Sequence, residues 1–167
     1  KYLFFGDDDI IWIEKNMRKV VDYFETNPNV DLILGRTINE EGNLRKKYPM
    51  SKKRLHLFNS GKAGTVEMSI RVSSFRSRDI YFDTEFGAGM DNYIGDEYIF
   101  ITDAHKEKLK CIYLPIDFSI HPMESSGSQF GSQRDRNARI AVLKRVFGKL
   151  APVMKIFFFL KHRKKLK

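Results

Sequence analysis

The chain has 167 residues, 42% hydrophobic and 31% charged, which is enough for one domain with a proper core and ordinary for a globular protein. Its single cysteine, Cys111, excludes an internal disulfide and a cysteine-rich zinc site, and no apolar run approaches the roughly 20 residues that cross a bilayer. The net charge of +9 is concentrated: from Gly131 to Lys167 twelve Lys or Arg face one acid, Asp135, so the remainder is close to neutral and the basic tail implies an anionic partner.

The chain opens at Lys1 inside an apparent strand, so we expect a fragment whose N-terminal part is missing. "YLFF" is the short, fully apolar run of a buried parallel strand. Asp7, Asp8 and Asp9 follow at its C-terminal end, and the chain then returns at once to isoleucines. Adjacent carboxylates repel one another, and apolar flanks worsen the repulsion by excluding water. An N-cap for a helix starting near Ile11 accounts for one aspartate and leaves two unexplained. Hard oxygen ligands at the carboxyl end of a strand suit Mg²⁺ or Mn²⁺ shared with substrate phosphates, and such a cation favours the ionised carboxylates.

From Trp12 to Thr26 apolar residues recur at helical spacing (Ile13, Met17, Val20, Val21, Phe24), and Asn27-Pro28 ends the helix. "VDLILGRTI" is a second buried strand, completing the strand–helix–strand pattern of an α/β sheet. Residues 39–60 form a polar, irregular excursion, and "TVEMSIRVSSF" alternates as a strand of unassigned partner. A glycine-rich loop then leads into a helix over about Gly95 to Lys108, opened by Asp96 and Glu97. These acids either complement the helix macrodipole or supply a general base. "KCIYLPI" is another strand, with Cys111 as a buried, inert thiol. His121 follows it, either as a structural histidine or as a ligand through a neutral ring nitrogen, and a Ser/Gly loop comes next. From Arg134 onward Ile140, Val142, Leu143, Val146 and Leu150 mark an amphipathic helix interrupted near Pro152.

Taken in order, "FFGDDDI", "FGAGMDNYIGDEYIF" and "YLPIDFSIHPMESSG" resemble the motifs of family 2 glycosyltransferases with the GT-A fold, in particular bacterial polysaccharide enzymes. The resemblance spans roughly Tyr2 to Gly127. It implies a Rossmann-related mixed sheet flanked by helices, truncated at the N-terminus. Residues 1–133 would form the metal- and acceptor-binding part, and residues 134–167 a basic helical tail. It implies that Asp7 and Asp9 contact the sugar nucleotide and its Mn²⁺ or Mg²⁺, with Asp8 the key ligand in an alternative register. His121 would help hold the metal. Glu97 would deprotonate the acceptor hydroxyl with Asp96 in the preceding acidic place, the order "DE" leaving the base open between them. Phe86, Gly87 and Gly89 would shape an acceptor site, or form a plain turn. The strand–helix units that grip the donor base and ribose in this family have no counterpart here, so the chain is expected to be inactive alone.

The implied reaction is an inverting transfer from a nucleotide-diphosphate sugar to a saccharide or lipid-linked acceptor in surface polysaccharide synthesis. Beyond Pro152, Phe157, Phe158, Phe159 and Leu160 beside "KHRKK" suit contact with a membrane surface. The resemblance, with its lipid-linked acceptors, implies such a location, peripheral on the cytoplasmic face. Aromatics interleaved with basic residues are missing from the rest of the chain, so no nucleic-acid partner is expected. Two other classes use the same features. A metal-dependent phosphoester hydrolase would employ the acids with water, and a non-enzymatic binding module would need only the basic tail.

Overall fold

The computed structural model describes residues 1–121 and 131–163. The Ser/Gly loop after His121, over 122–130, and the last four residues lie outside them. Two compact units are present. One comprises Lys1–Tyr81 and the stretch from Phe100 through the last strand; the other comprises Phe82–Ile99 and the C-terminal helices.

The first unit contains the whole sheet among the described residues: β1 (Tyr2–Phe4), β2 (Ile11–Trp12), β3 (Leu32–Ile38), β4 (Lys53–Arg54), β5 (Met68–Arg71) and β6 (Cys111–Ile120). The order is β1-β5-β3-β6-β2, with β4 also on β6. β3 and β6 are parallel and every other pair is antiparallel, so the sheet is mixed, as an α/β chain with short return strands requires. Helix α1 (Glu14–Thr26) covers one face. Its Val20 and Phe24 meet Val30, Ile33, Ile112, Leu114 and Phe118, while Trp12 and Phe4 close the margin. Successive strand residues point to opposite faces, so Leu32, Leu34 and Tyr113 line the other side. There Tyr113 donates to the Pro49 carbonyl (2.9 Å) and stacks on Tyr48, tying down the irregular excursion.

Several expectations are corrected. "YLFF" gives β1, but at the end of the sheet and antiparallel to β5, with β5 standing between it and β3. Ile11 and Trp12 pair with Ile120 and Ser119 as β2, so α1 starts at Glu14 and carries no side-chain cap. None of the three aspartates is a helix cap. "TVEMSIRVSSF" divides into a 3₁₀ turn (Thr65–Glu67), β5 and the short helix α2 (Val72–Arg76). The strand predicted from "KCIYLPI" continues through Pro115 to Ile120.

Helix α3 (Asp96–Lys106) is shared by the units: its first turn belongs to the second, the remainder to the first. Within the first unit Phe100 stacks on Phe75 (4.9 Å) and meets Phe5 edge-on (5.9 Å). The second unit holds α4 (Gln133–Phe147), a 3₁₀ turn (Gly148–Leu150) and α5 (Ala151–His162). The break between these helices falls at Gly148, whose φ of 52° is left-handed, rather than at Pro152. Pro152 lies in the first turn of α5, where a missing N–H leaves nothing unpaired.

Candidate functional site

β1, β3 and β6 all run in one direction, because two antiparallel pairings through β5 leave β1 aligned with β3. Their carboxyl ends therefore share one edge of the sheet. Asp7–Asp9 follow β1 and His121 follows β6 at that edge, and the His121 N–H donates to the Ile38 carbonyl at the end of β3 (2.9 Å). One carboxylate oxygen each from Asp7 and Asp9 and a ring nitrogen of His121 lie within 4.8 Å of one another. The Asp9 Oδ1 to His121 Nε2 distance is 3.7 Å. His121 is buried, with 10% of its side chain exposed, whereas the Asp9 side chain is 51% exposed. Imidazole is thus held firmly from below while the carboxylates face outward.

This donor set fits a divalent cation. At bond lengths of about 2.1 Å, neighbouring octahedral ligand atoms sit about 3 Å apart and opposite ones about 4.2 Å, and the Asp9–His121 distance of 3.7 Å lies between these. Two carboxylates and one imidazole would leave several coordination positions for water or phosphate oxygens. Asp8 is exposed and stands outside the group.

In the second unit Asp96 and Glu97 form the first turn of α3, both half-buried. Gly95 precedes them with φ 91°, and its backbone is pressed so close to α4 that an added Cβ would lie 2.5 Å from Val142. Gly87, φ 106°, backs onto Asp96: a Cβ there would lie 3.0 Å from the Asp96 carboxylate oxygen. Phe86 and Gly87 belong to a turn closed by the Gly87 N–H to Asn92 carbonyl bond (2.9 Å) and the Met90 N–H to Gly87 carbonyl bond (3.1 Å). Gly89, at the turn's tip, has open space around it. Burial alone pushes the Tyr98 hydroxyl up to about 12, so it stays a proton donor near neutrality.

Sequence reasoning missed what secures this loop. Asp135, read as the lone acid of a basic tail, is fully buried. Arg139 Nε donates to both of its oxygens (2.9 and 3.0 Å), and the Tyr93 hydroxyl donates to Oδ1 (3.3 Å). Arg134 lies over the Tyr93 ring (5.1 Å) and donates to the Met90 carbonyl (3.4 Å). The available signal was the i,i+4 spacing of Asp135 and Arg139 beside the cap Ser132, whose oxygen accepts from the Asp135 N–H (3.0 Å).

A mixed, helix-flanked sheet with this edge is a glycosyltransferase-like fold. Similar solved structures include those of S. aureus TarS. TarS residues 1–349 align with 88% of this chain at 12% identity and a TM-score of 0.57; the same region in complex with UDP gives 12% and 0.58, and a longer TarS structure 13% and 0.57. The chain spans 41% of the length of the first two and 25% of the third. No protein-family model and no curated protein matches the sequence.

Proposed function

We propose that this chain carries the metal- and acceptor-facing part of an inverting, family 2-type glycosyltransferase. It would move a sugar from a nucleotide-diphosphate donor to a saccharide or lipid-linked acceptor at the cytoplasmic face of the membrane. The observation that carries the reading is the convergence of Asp7, Asp9 and His121 from chain segments more than 100 residues apart. The fold likeness to TarS, one structure of which holds UDP, supports a nucleotide-sugar donor.

Asp7, Asp9 and His121 would hold Mn²⁺ or Mg²⁺, and the imidazole favours Mn²⁺. When bound, the cation supplies neutralisation of charge on the departing diphosphate. Glu97 is assigned the proton of the attacking hydroxyl. Asp96, packed against Gly87, is suited to shaping the acceptor turn that carries Phe86 and Gly89. Asp8 contributes charge without ligation. A single displacement inverts the anomeric centre and needs no protein nucleophile.

The test is a screen of nucleotide sugars with Mn²⁺, reading nucleoside diphosphate release with and without saccharide acceptors. Transfer should require an acceptor hydroxyl and fall about 10²–10⁴-fold in Glu97→Gln. Asp96→Asn should raise the acceptor KM more than it lowers kcat. Acceptor-independent phosphate release would instead make the site a hydrolase.

A further inference from the structure

Helix α5 packs through Ala151, which is buried, and through Phe158, which lies beneath the Arg139 guanidinium of α4 (5.9 Å). On its other side Val153, Ile156, Phe157 and Leu160 recur at i, i+3, i+4 and i+7, with Leu150 just ahead of them. All five are between 51% and 64% exposed. That is an uninterrupted apolar stripe along a helix about 18 Å long. A scatter of single exposed apolar residues is ordinary; a helical stripe of five calls for a partner.

The charges say which partner. From Gly148 to the end of the chain there is no Asp or Glu. At about 100° per residue, Lys161 and Arg163 fall on either side of the stripe at its C-terminal end. Lys164, Lys165 and Lys167 follow in the sequence. A second copy of the chain docked on the stripe would oppose like charges to like, whereas an anionic surface meets them all with opposite charge. Among the described residues no helix is long and apolar enough to cross a membrane, so α5 can lie in a bilayer surface but not span it.

We propose that α5 is an interfacial docking helix for anionic phospholipid: Val153, Ile156, Phe157 and Leu160 enter the boundary between headgroups and acyl chains, and Lys161 and Arg163 pair with lipid phosphates. Burial of such a face to about 5–10 Å is the usual depth for helices of this composition. The inference rests on α5 and holds whether or not the transferase reading does, since it involves neither donor nor metal.

The experiment is co-sedimentation of the protein with vesicles of phosphatidylcholine alone and of phosphatidylcholine containing one-third phosphatidylglycerol, across a salt series. Binding should be confined to the anionic vesicles and weaken as salt rises. The double variant Phe157→Ser/Leu160→Ser should weaken it by about tenfold or more. Lys161→Glu/Arg163→Glu should weaken it comparably and flatten the salt dependence. All four side chains are solvent-exposed, and circular dichroism verifies that each variant keeps its helices. Binding that ignores the Ser pair overturns the proposal, because adsorption is then through charge elsewhere. So does absence of vesicle binding, whether the protein is monomeric or forms a dimer that the Ser pair dissolves.

Discussion

Gly35 lies on β3 at the irregularity in its pairing with β6: a Cβ on it would lie 2.3 Å from the Phe118 ring, which fills the core beneath α1. The ring cannot retreat without disturbing Val20 and Phe24, so Gly35→Ala is expected to destabilise by about 1–3 kcal/mol in urea unfolding. Cys111 offers a pH-dependent counterpart. Burial, assisted by the nearby Asp31 carboxylate, pushes its thiol up to about 12 from an ordinary value of 9.0. The folded state thus holds this proton where the unfolded chain releases it. Stability is unaffected below about pH 9 and falls as pH rises from there toward 12. Tyr48, raised by burial and by the carboxylate of Glu67, acts in the same direction. Urea midpoints on either side of pH 9 check this, and Cys111→Ala should flatten the decline. At the residue scale the inert character of Cys111 was legible in its apolar run. The role of Gly35 was not, because a glycine inside a strand does not say which ring from a distant segment lies against it.

Among elements, the parts whose apolar periodicity is strong were readable: α1, β3, β6 and α4 appear where hydrophobic spacing places them. The misplacements occur where tertiary pairing outweighs local pattern. Ile11 and Trp12 continue the helical spacing of α1, yet they gain two cross-strand partners on β6. Pro152 reads as a helix breaker, but proline is harmless in a first turn, and the left-handed Gly148 makes the break. The polar ties between elements were the least legible. Arg71 on β5 donates to the Phe24 carbonyl (2.8 Å) in the last turn of α1, to the Val30 carbonyl (3.2 Å) and to the Tyr2 hydroxyl (3.1 Å). Asp135 does the equivalent work in the second unit. Asp135→Ala would leave Arg139 partly buried without its carboxylate, at a cost of about 3 kcal/mol. Tyr93→Phe, which removes one long hydrogen bond, should cost about 1 kcal/mol or less. Hydrogen exchange at Gly87–Tyr93 should accelerate in the first variant and change little in the second.

For the whole molecule, the mixed α/β architecture followed from strand–helix–strand order, and the meeting of Asp7 and Asp9 with His121, more than a hundred positions away, from the order of motifs that carries the family resemblance. Composition could not reveal that Asp7 and Asp9 reach His121 while Asp8 stands aside; that depends on the turn at Asp8–Asp9 and on which strands share a direction. If Mn²⁺ binds this group only in the folded state, mass action requires it to stabilise: about 2.7 kcal/mol at a hundredfold excess over its dissociation constant. A thermal-shift titration should show this for the parent protein and lose it in Asp9→Asn and in His121→Ala.

β1 and β2 occupy opposite ends of the sheet order, yet only Phe5–Ile10 join them. Four inter-strand steps span up to about 19 Å, and the seven Cα–Cα steps from Phe4 to Ile11 reach about 25 Å only when fully extended. The turn at Asp8–Asp9 consumes part of that reach, so the tether has little slack. Length and charge at Asp8 are therefore separable. Neutralising the side chain leaves the span intact, whereas excising the residue would drag Ile11–Trp12 off Ile120–Ser119 and carry Asp9 away from the imidazole.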